Sequence, residues 1–126
     1  MTANTIYEII GGEKKVKQIV DAYLRVLTTD PNAKELRQAY PEDLSIYEAR
    51  IFEFLTMWWG GPALYNERHG MPMIRETHRH LPITRELRDQ WMYCMRTALE
   101  ETIEDIDLRL HLESRFWQMA SSLTRD

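Results

Sequence analysis

EKKVKQIVDAYLRVL, residues 13–27, decides the fold class. Val16, Ile19, Val20, Tyr23, Leu24 and Leu27 recur at steps of three and four. Residues so spaced share one face of a helix, so the stretch reads as a single amphipathic helix with one apolar stripe. The same period returns along the chain. Ile51, Phe54, Leu55 and Trp58 mark a second stripe, Leu87, Trp91, Cys94, Met95, Ala98 and Thr102 a third, and Leu108, Leu112, Phe116, Met119 and Leu123 a fourth. Alternation at a period of two is nowhere sustained, so the chain is expected to be all-α.

Punctuation between the stripes falls at Gly11-Gly12, Asp30-Pro31, Tyr40-Pro41, Gly60-Gly61-Pro62, Gly70-Met71-Pro72 and Leu81-Pro82. Pro31 suits the first turn of a short helix running to about Ala39, because its missing N–H would have no partner there anyway. Ser45, followed three residues on by Glu48, reads as a capping box. Thr84 reads as a cap for the helix after it, and a last helix is expected from about Asp105. Three breaks fall within residues 60–83, so that segment holds at most a helical turn near Met73–His78.

The chain has 126 residues, 44% hydrophobic and 29% charged, with a net charge of −4. These values suit one soluble domain, residues 1–126, with one core. The acidic balance and scattered basic residues argue against a nucleic-acid partner, which would need a basic stripe. No apolar run reaches the roughly 18–20 residues of a membrane span. MTANTIYEIIGGEKK at the start lacks the basic then apolar pattern of a secretory leader, so a cytoplasmic location is expected. Cys94 is the only cysteine; on an apolar face it reads as a buried, unreactive thiol. Four Trp, six Tyr, three Phe and seven Met can fill a small core or line a cavity for a large apolar ligand.

Among the four histidines, His111 lies among charged residues and His69 in a glycine-bounded loop, so both read as solvated. His78 and His80 are two apart, which on a helix points their side chains away from each other. No Cys/His/Asp/Glu set has structural zinc spacing. GxGxxG, phosphate-loop and GxSxG patterns are absent. The residue pattern alone leaves His78 as one candidate ligand among several.

Ordered motifs then enter together. Phe54-Leu55-Thr56-Met57-Trp58-Trp59-Gly60-Gly61-Pro62 resembles the end of the distal helix of group II truncated (2-on-2) hemoglobins. Tyr65 to His78, YNERHGMPMIRETH, resembles that family's loop to its proximal histidine. Leu81-Pro82-Ile83, Arg88 to Met95, Tyr7 to Gly12 and Tyr40-Pro41-Glu42-Asp43-Leu44 continue the likeness over nearly the whole chain. The resemblance implies a truncated globin-like 2-on-2 helical sandwich around one heme b. It implies a metal role for His78 as axial iron ligand, with the sixth position open for dioxygen, nitric oxide or carbon monoxide. Oxygen binding or oxygen transport is the implied function, with an electron-donating reductase as partner; heme-dependent peroxidase or nitric-oxide dioxygenase activity is the alternative.

By the same resemblance the distal side comes from Tyr40, Tyr47, Ile51, Trp91 and the position of Leu24. Phe54, Leu55, Met73, Ile74, Arg75, Ile83 and Met95 line the heme. Phenol and indole hydrogens can donate to the partly anionic oxygen of bound dioxygen. The chain departs from the family at three places. The family usually has Tyr where Leu24 stands, and a one-residue step rotates a helical side chain by about 100°, so Tyr23 is expected to point mostly elsewhere. Tyr47 stands at a position commonly small, where it either supplies the missing hydroxyl or narrows the pocket. Thr77 replaces a frequent Arg, leaving Arg75, Arg79 or His80 to meet the heme carboxylates.

Overall fold

A computed structural model describes residues 4–63 and 83–124 of the chain. The described residues form helices and turns, with no strand among them. The helices are α1 (Ile6–Ile10), α2 (Gly12–Thr29), α3 (Lys34–Gln38), α4 (Ser45–Trp58), α5 (Arg85–Thr102) and α6 (Ile106–Ser122). A single 3-10 turn, Pro31–Ala33, leads into α3. Two pairs, α2 with α4 and α5 with α6, meet through the packing of α2 on α5.

The α2 stripe buries as its period requires. Val16, Ile19, Val20, Tyr23, Val26 and Leu27 are all buried, against Cys94, Met95, Ala98 and Leu99 of α5 in one core. Leu112 and Phe116 of α6 close that core from the other side. In α4 the buried set is wider than the expected stripe. Ile51 and Leu55 are buried, but so are Glu53 and Thr56, while Phe54 and Trp58 stay half-buried.

Helix starts follow local hydrogen bonding. Thr84 Oγ1 accepts from Leu87 N at 3.2 Å and Asp105 Oδ1 from Leu108 N at 3.1 Å, each satisfying an N–H that the helix cannot. The capping box expected at Ser45 is not formed. Ser45 is already helical, the N-cap is Leu44, and Asp43 Oδ1 accepts from Ser45 N at 2.9 Å. The aspartate takes the Ser45 N–H that the Glu48 carboxylate would have accepted, and Glu48 N donates instead to Leu44 O at 2.8 Å.

The Gly60-Gly61 break does more than stop α4. Gly60 has φ +92, and a Cβ added there would come within 2.9 Å of Thr5 Cβ. A Cβ on Gly61 would come within 2.8 Å of the Tyr7 ring. The two glycines therefore let α1 close over the end of α4, where Tyr7 N donates to Trp59 O at 2.8 Å.

Candidate functional site

Three phenols and one indole converge where α2, α4, α5 and the segment after α3 meet. Tyr23 comes from the middle of the α2 stripe and is 0% exposed. Its hydroxyl lies 2.9 Å from that of Tyr47 on the first turns of α4. Tyr40, just past α3, donates to Tyr47 Oη at 3.4 Å, and their rings stack at 4.4 Å between centroids. The Trp91 ring, on α5, meets that of Tyr23 edge-on at 6.4 Å. Ile51, one turn beyond Tyr47, is buried beside this group.

Burial sets the electrostatics. It raises the Tyr23 and Tyr40 phenols well above the usual tyrosine range, helped by the neighbouring Tyr47 hydroxyl. Tyr47 is also raised by burial, but its hydrogen bonding with Tyr23 and Tyr40 pulls it back. All three therefore stay protonated at neutral pH. The result is a patch of uncharged hydrogen-bond donors in a desolvated place. Such donors stabilise a partial negative charge on a small ligand and repel nothing.

Two contacts hold Tyr40 and Trp91 in register, and periodicity gave no sign of either. Arg37 reaches forward from α3 and donates to the carbonyls of Tyr40, Pro41 and Glu42 at 3.5, 3.0 and 2.9 Å. Gln90, beside Trp91, accepts from Leu36 N at 2.9 Å and donates to Glu35 at 2.7 Å. The Gln90 contacts link residues 54 and 55 positions apart, which only the folded chain brings near; those of Arg37 are local but go to backbone carbonyls, which carry no residue signature. A second aromatic layer supports the site from behind. Phe116 lies 5.3 Å from Trp91 edge-on, 5.5 Å from Trp58 and 5.8 Å from Trp59.

The structure corrects one expectation. Tyr23 does not point away from the pocket residues; it is part of their hydrogen-bonded cluster. The reason is the stripe itself: Val16, Ile19, Val20, Tyr23, Val26 and Leu27 face inward together, and Leu24 sits half-buried at its edge. Leu55 and Met95 are buried in the adjoining core, and Phe54 and Ile83 are half-buried. Cys94 is buried, and burial pushes its thiol up to about 12, in keeping with an unreactive role. His111 is exposed. His69, Met73, Ile74, Arg75, Thr77, His78, Arg79 and His80 lie outside the described residues, as does the turn expected near Met73–His78.

Comparison with known proteins decides what this cluster belongs to. The sequence model of the bacterial-like globin family matches residues 5–124. This chain belongs to the bacterial-like globins. The Group 2 truncated hemoglobin YjbI of Bacillus subtilis is 37% identical over 112 residues, covering 89% of this chain and 82% of that protein. The cold-adapted truncated hemoglobin of the Antarctic marine bacterium Pseudoalteromonas haloplanktis superposes with a TM-score of 0.94 at 39% identity, over 98% of this chain and 99% of that one. The group II 2-on-2 hemoglobin of Agrobacterium tumefaciens gives 0.95 at 36% identity, over 99% and 97%. The globin is thus of the group II truncated type, with the 2-on-2 helical arrangement.

A globin of this family is a heme protein, and the described residues suit that cofactor. They offer a cluster of uncharged phenols beside a buried apolar wall, surroundings that suit an apolar ring carrying a small polar ligand. No helix among the described residues is long and apolar enough to cross a membrane.

Proposed function

We propose that this globin holds heme b through His78 and binds dioxygen or another diatomic gas on the opposite side, as an oxygen-binding or oxygen-transport protein. The observation that carries the reading is the convergence of Tyr23 and Tyr40 on Tyr47, with Trp91 packed edge-on against Tyr23. Bound heme would supply a ferrous iron with one open position for the gas. A neutral imidazole at position 78 would anchor the iron, and Phe54, Leu55, Met73, Ile74, Ile83 and Met95 would exclude water around the ring. Arg75 would meet a heme carboxylate. Tyr23, Tyr40, Tyr47 and Trp91 donate hydrogen bonds or hold other donors in place, and Ile51 and Leu24 close the remaining space. A single domain, a cytoplasmic setting and an electron-donating reductase that keeps the iron ferrous belong to the same reading.

Four donors in one small site favour retention of a polarised ligand over its quick release. That observation supports a second reading, peroxidase or nitric-oxide dioxygenase activity. A visible spectrum with added heme tests the core of the proposal. A Soret band is expected in the wild type, and His78→Ala is expected to lose the normal proximal ligation. No Soret band in the wild type, or unchanged ligation in His78→Ala, would refute it. A stable oxygenated form favours the carrier; rapid oxidation with peroxide turnover favours the enzyme.

A further inference from the structure

Aromatic rings run in an unbroken series from one end of α4 to the other, by way of three other helices. Trp58, on the last turn of α4, stacks on Phe116 of α6 at 5.5 Å between centroids. Phe116 meets Trp91 of α5 at 5.3 Å, with the two planes at 90°. Trp91 meets Tyr23 of α2 at 6.4 Å, and Tyr23 meets Tyr47, back on the first turn of α4, at 6.2 Å. Phe116 is the one member of this series without a polar atom, and it is 0% exposed. Its own plane is held by two neighbours: Trp58 lies within 29° of parallel to it, and Trp59 packs on it at 5.8 Å. A phenyl ring held in this way offers Trp91 a fixed surface. Aromatic rings attract through a negative face and a positive edge, so a perpendicular pair has a preferred tilt that an aliphatic side chain does not impose.

The hydroxyls of Tyr23, Tyr40 and Tyr47 orient one another through hydrogen bonds. The Trp91 indole is oriented by rings, those of Tyr23 and Phe116. Tyr23 is already tied to Tyr47, so Phe116 is the ring that approaches Trp91 from outside the cluster. We propose that Phe116 is a positioning residue for the gas-binding site: it sets the tilt of Trp91, and with it the direction of the indole N–H, without itself meeting the ligand. This rests on the heme-binding reading above and adds to it a residue of α6, a helix that supplies none of the donors. Leu112, one turn earlier on α6, is equally buried but carries no ring, so the same helix provides a built-in control.

In the heme-loaded protein the C–O stretch of bound carbon monoxide reads the donors around the ligand. Phe116→Leu keeps an apolar side chain but removes the ring, so Trp91 loses its fixed tilt. The band should broaden and move to higher frequency, and dioxygen release should speed up by up to about tenfold, the loss of one hydrogen bond. Phe116→Met, unbranched and also without a ring, should act in the same direction and serves where the leucine variant folds poorly. Leu112→Ala should lower stability yet leave the band and the release rate unchanged. In a Trp91→Phe background, Phe116→Leu should add nothing, because its effect passes through the indole. Tryptophan labelled at the indole nitrogen gives a second readout: in the diamagnetic carbon monoxide form the Trp91 N–H signal should be shifted or broadened by Phe116→Leu. An unchanged band in both Phe116 variants would mean that the ring only packs. An effect that persists in Trp91→Phe would mean that it acts by another route, and an equal shift in Leu112→Ala would mean that any loss of core moves the band. Each of these overturns the proposal. Absence of a Soret band in the wild type would instead refute the heme reading, so the two failures are distinguishable.

Discussion

The α2–α5 interface has two regions built on different physics. Along most of it, Val16, Ile19, Val20, Leu27, Ala98 and Leu99 meet without a polar atom among their side chains. At one place the hydroxyls of Tyr23, Tyr40 and Tyr47 meet, with the Trp91 ring edge-on to Tyr23. The apolar region is held by area removed from water and by dispersion, which have no direction. The polar region is directional, so its geometry depends on which atom donates to which. Tyr23 belongs to both: its ring fills the stripe and its oxygen joins the cluster. The contrast shows how one helix can carry stability and ligand chemistry without giving up either.

The largest expected effect breaks the apolar side alone. Leu99→Ala removes a side chain that is 0% exposed and should cost about 2–5 kcal/mol in urea unfolding. The carbon monoxide stretch should stay where it is; a shift would mean that the two regions are coupled. The next test separates them by pH. Cys94 is pushed from 9.0 up to about 12 by burial. A raised folded-state value means the contribution is full below the unfolded value and lost as pH rises through the folded one. Stability should therefore decline between pH 9 and about 12, by a few kcal/mol at most. The tyrosine cluster, raised for the same reason, adds its own decline from about pH 10. Denaturant titrations of Cys94→Ala should show the loss beginning later, with the tyrosine portion intact.

Smaller effects sharpen the polar side. Thr84→Ala deletes the α5 cap and should cost about 1 kcal/mol without touching Trp91. Urea unfolding measures the first, and the carbon monoxide stretch checks the second. Arg37→Lys replaces a planar fork by one ammonium. It should change stability by less than about 1 kcal/mol. It should still broaden the carbon monoxide band, because Tyr40 loses part of the clamp on its carbonyl. A band as narrow as the wild type's would show that the stacking of Tyr40 on Tyr47 suffices.

The four long stripes, the stop at Gly60-Gly61, the cap at Thr84 and the start of the last helix near Asp105 were legible because each depends on residues within a few positions of one another. The box at Ser45 fails for the same locality: Asp43 takes the Ser45 N–H that Glu48 would need, and a sequence pattern does not rank two nearby carboxylates. Tyr23 was misjudged for a different reason. Its stripe already placed it inward, but a one-residue offset from the family pattern suggested a rotation of about 100°. Helix α2 settles its rotation by burying the whole stripe, and Tyr23 goes in with Val16, Ile19 and Leu27. Arg37 and Gln90 left no trace in the sequence at all. The partners of Arg37 are backbone carbonyls, which any residue can supply, and those of Gln90 on α3 are more than fifty positions away.

The sequence by itself therefore determined the all-helical class, the breaks between helices, the order of the family's motifs and most of the core. These are short-range or periodic properties of the chain. Only the tertiary structure decided that the Tyr23 hydroxyl meets Tyr47, at a separation of 24 residues, while Tyr40 reaches the same oxygen and Trp91 packs against the Tyr23 ring. A hydrogen bond needs its atoms within a few tenths of an ångström of the right place, and only the packed helices supply that.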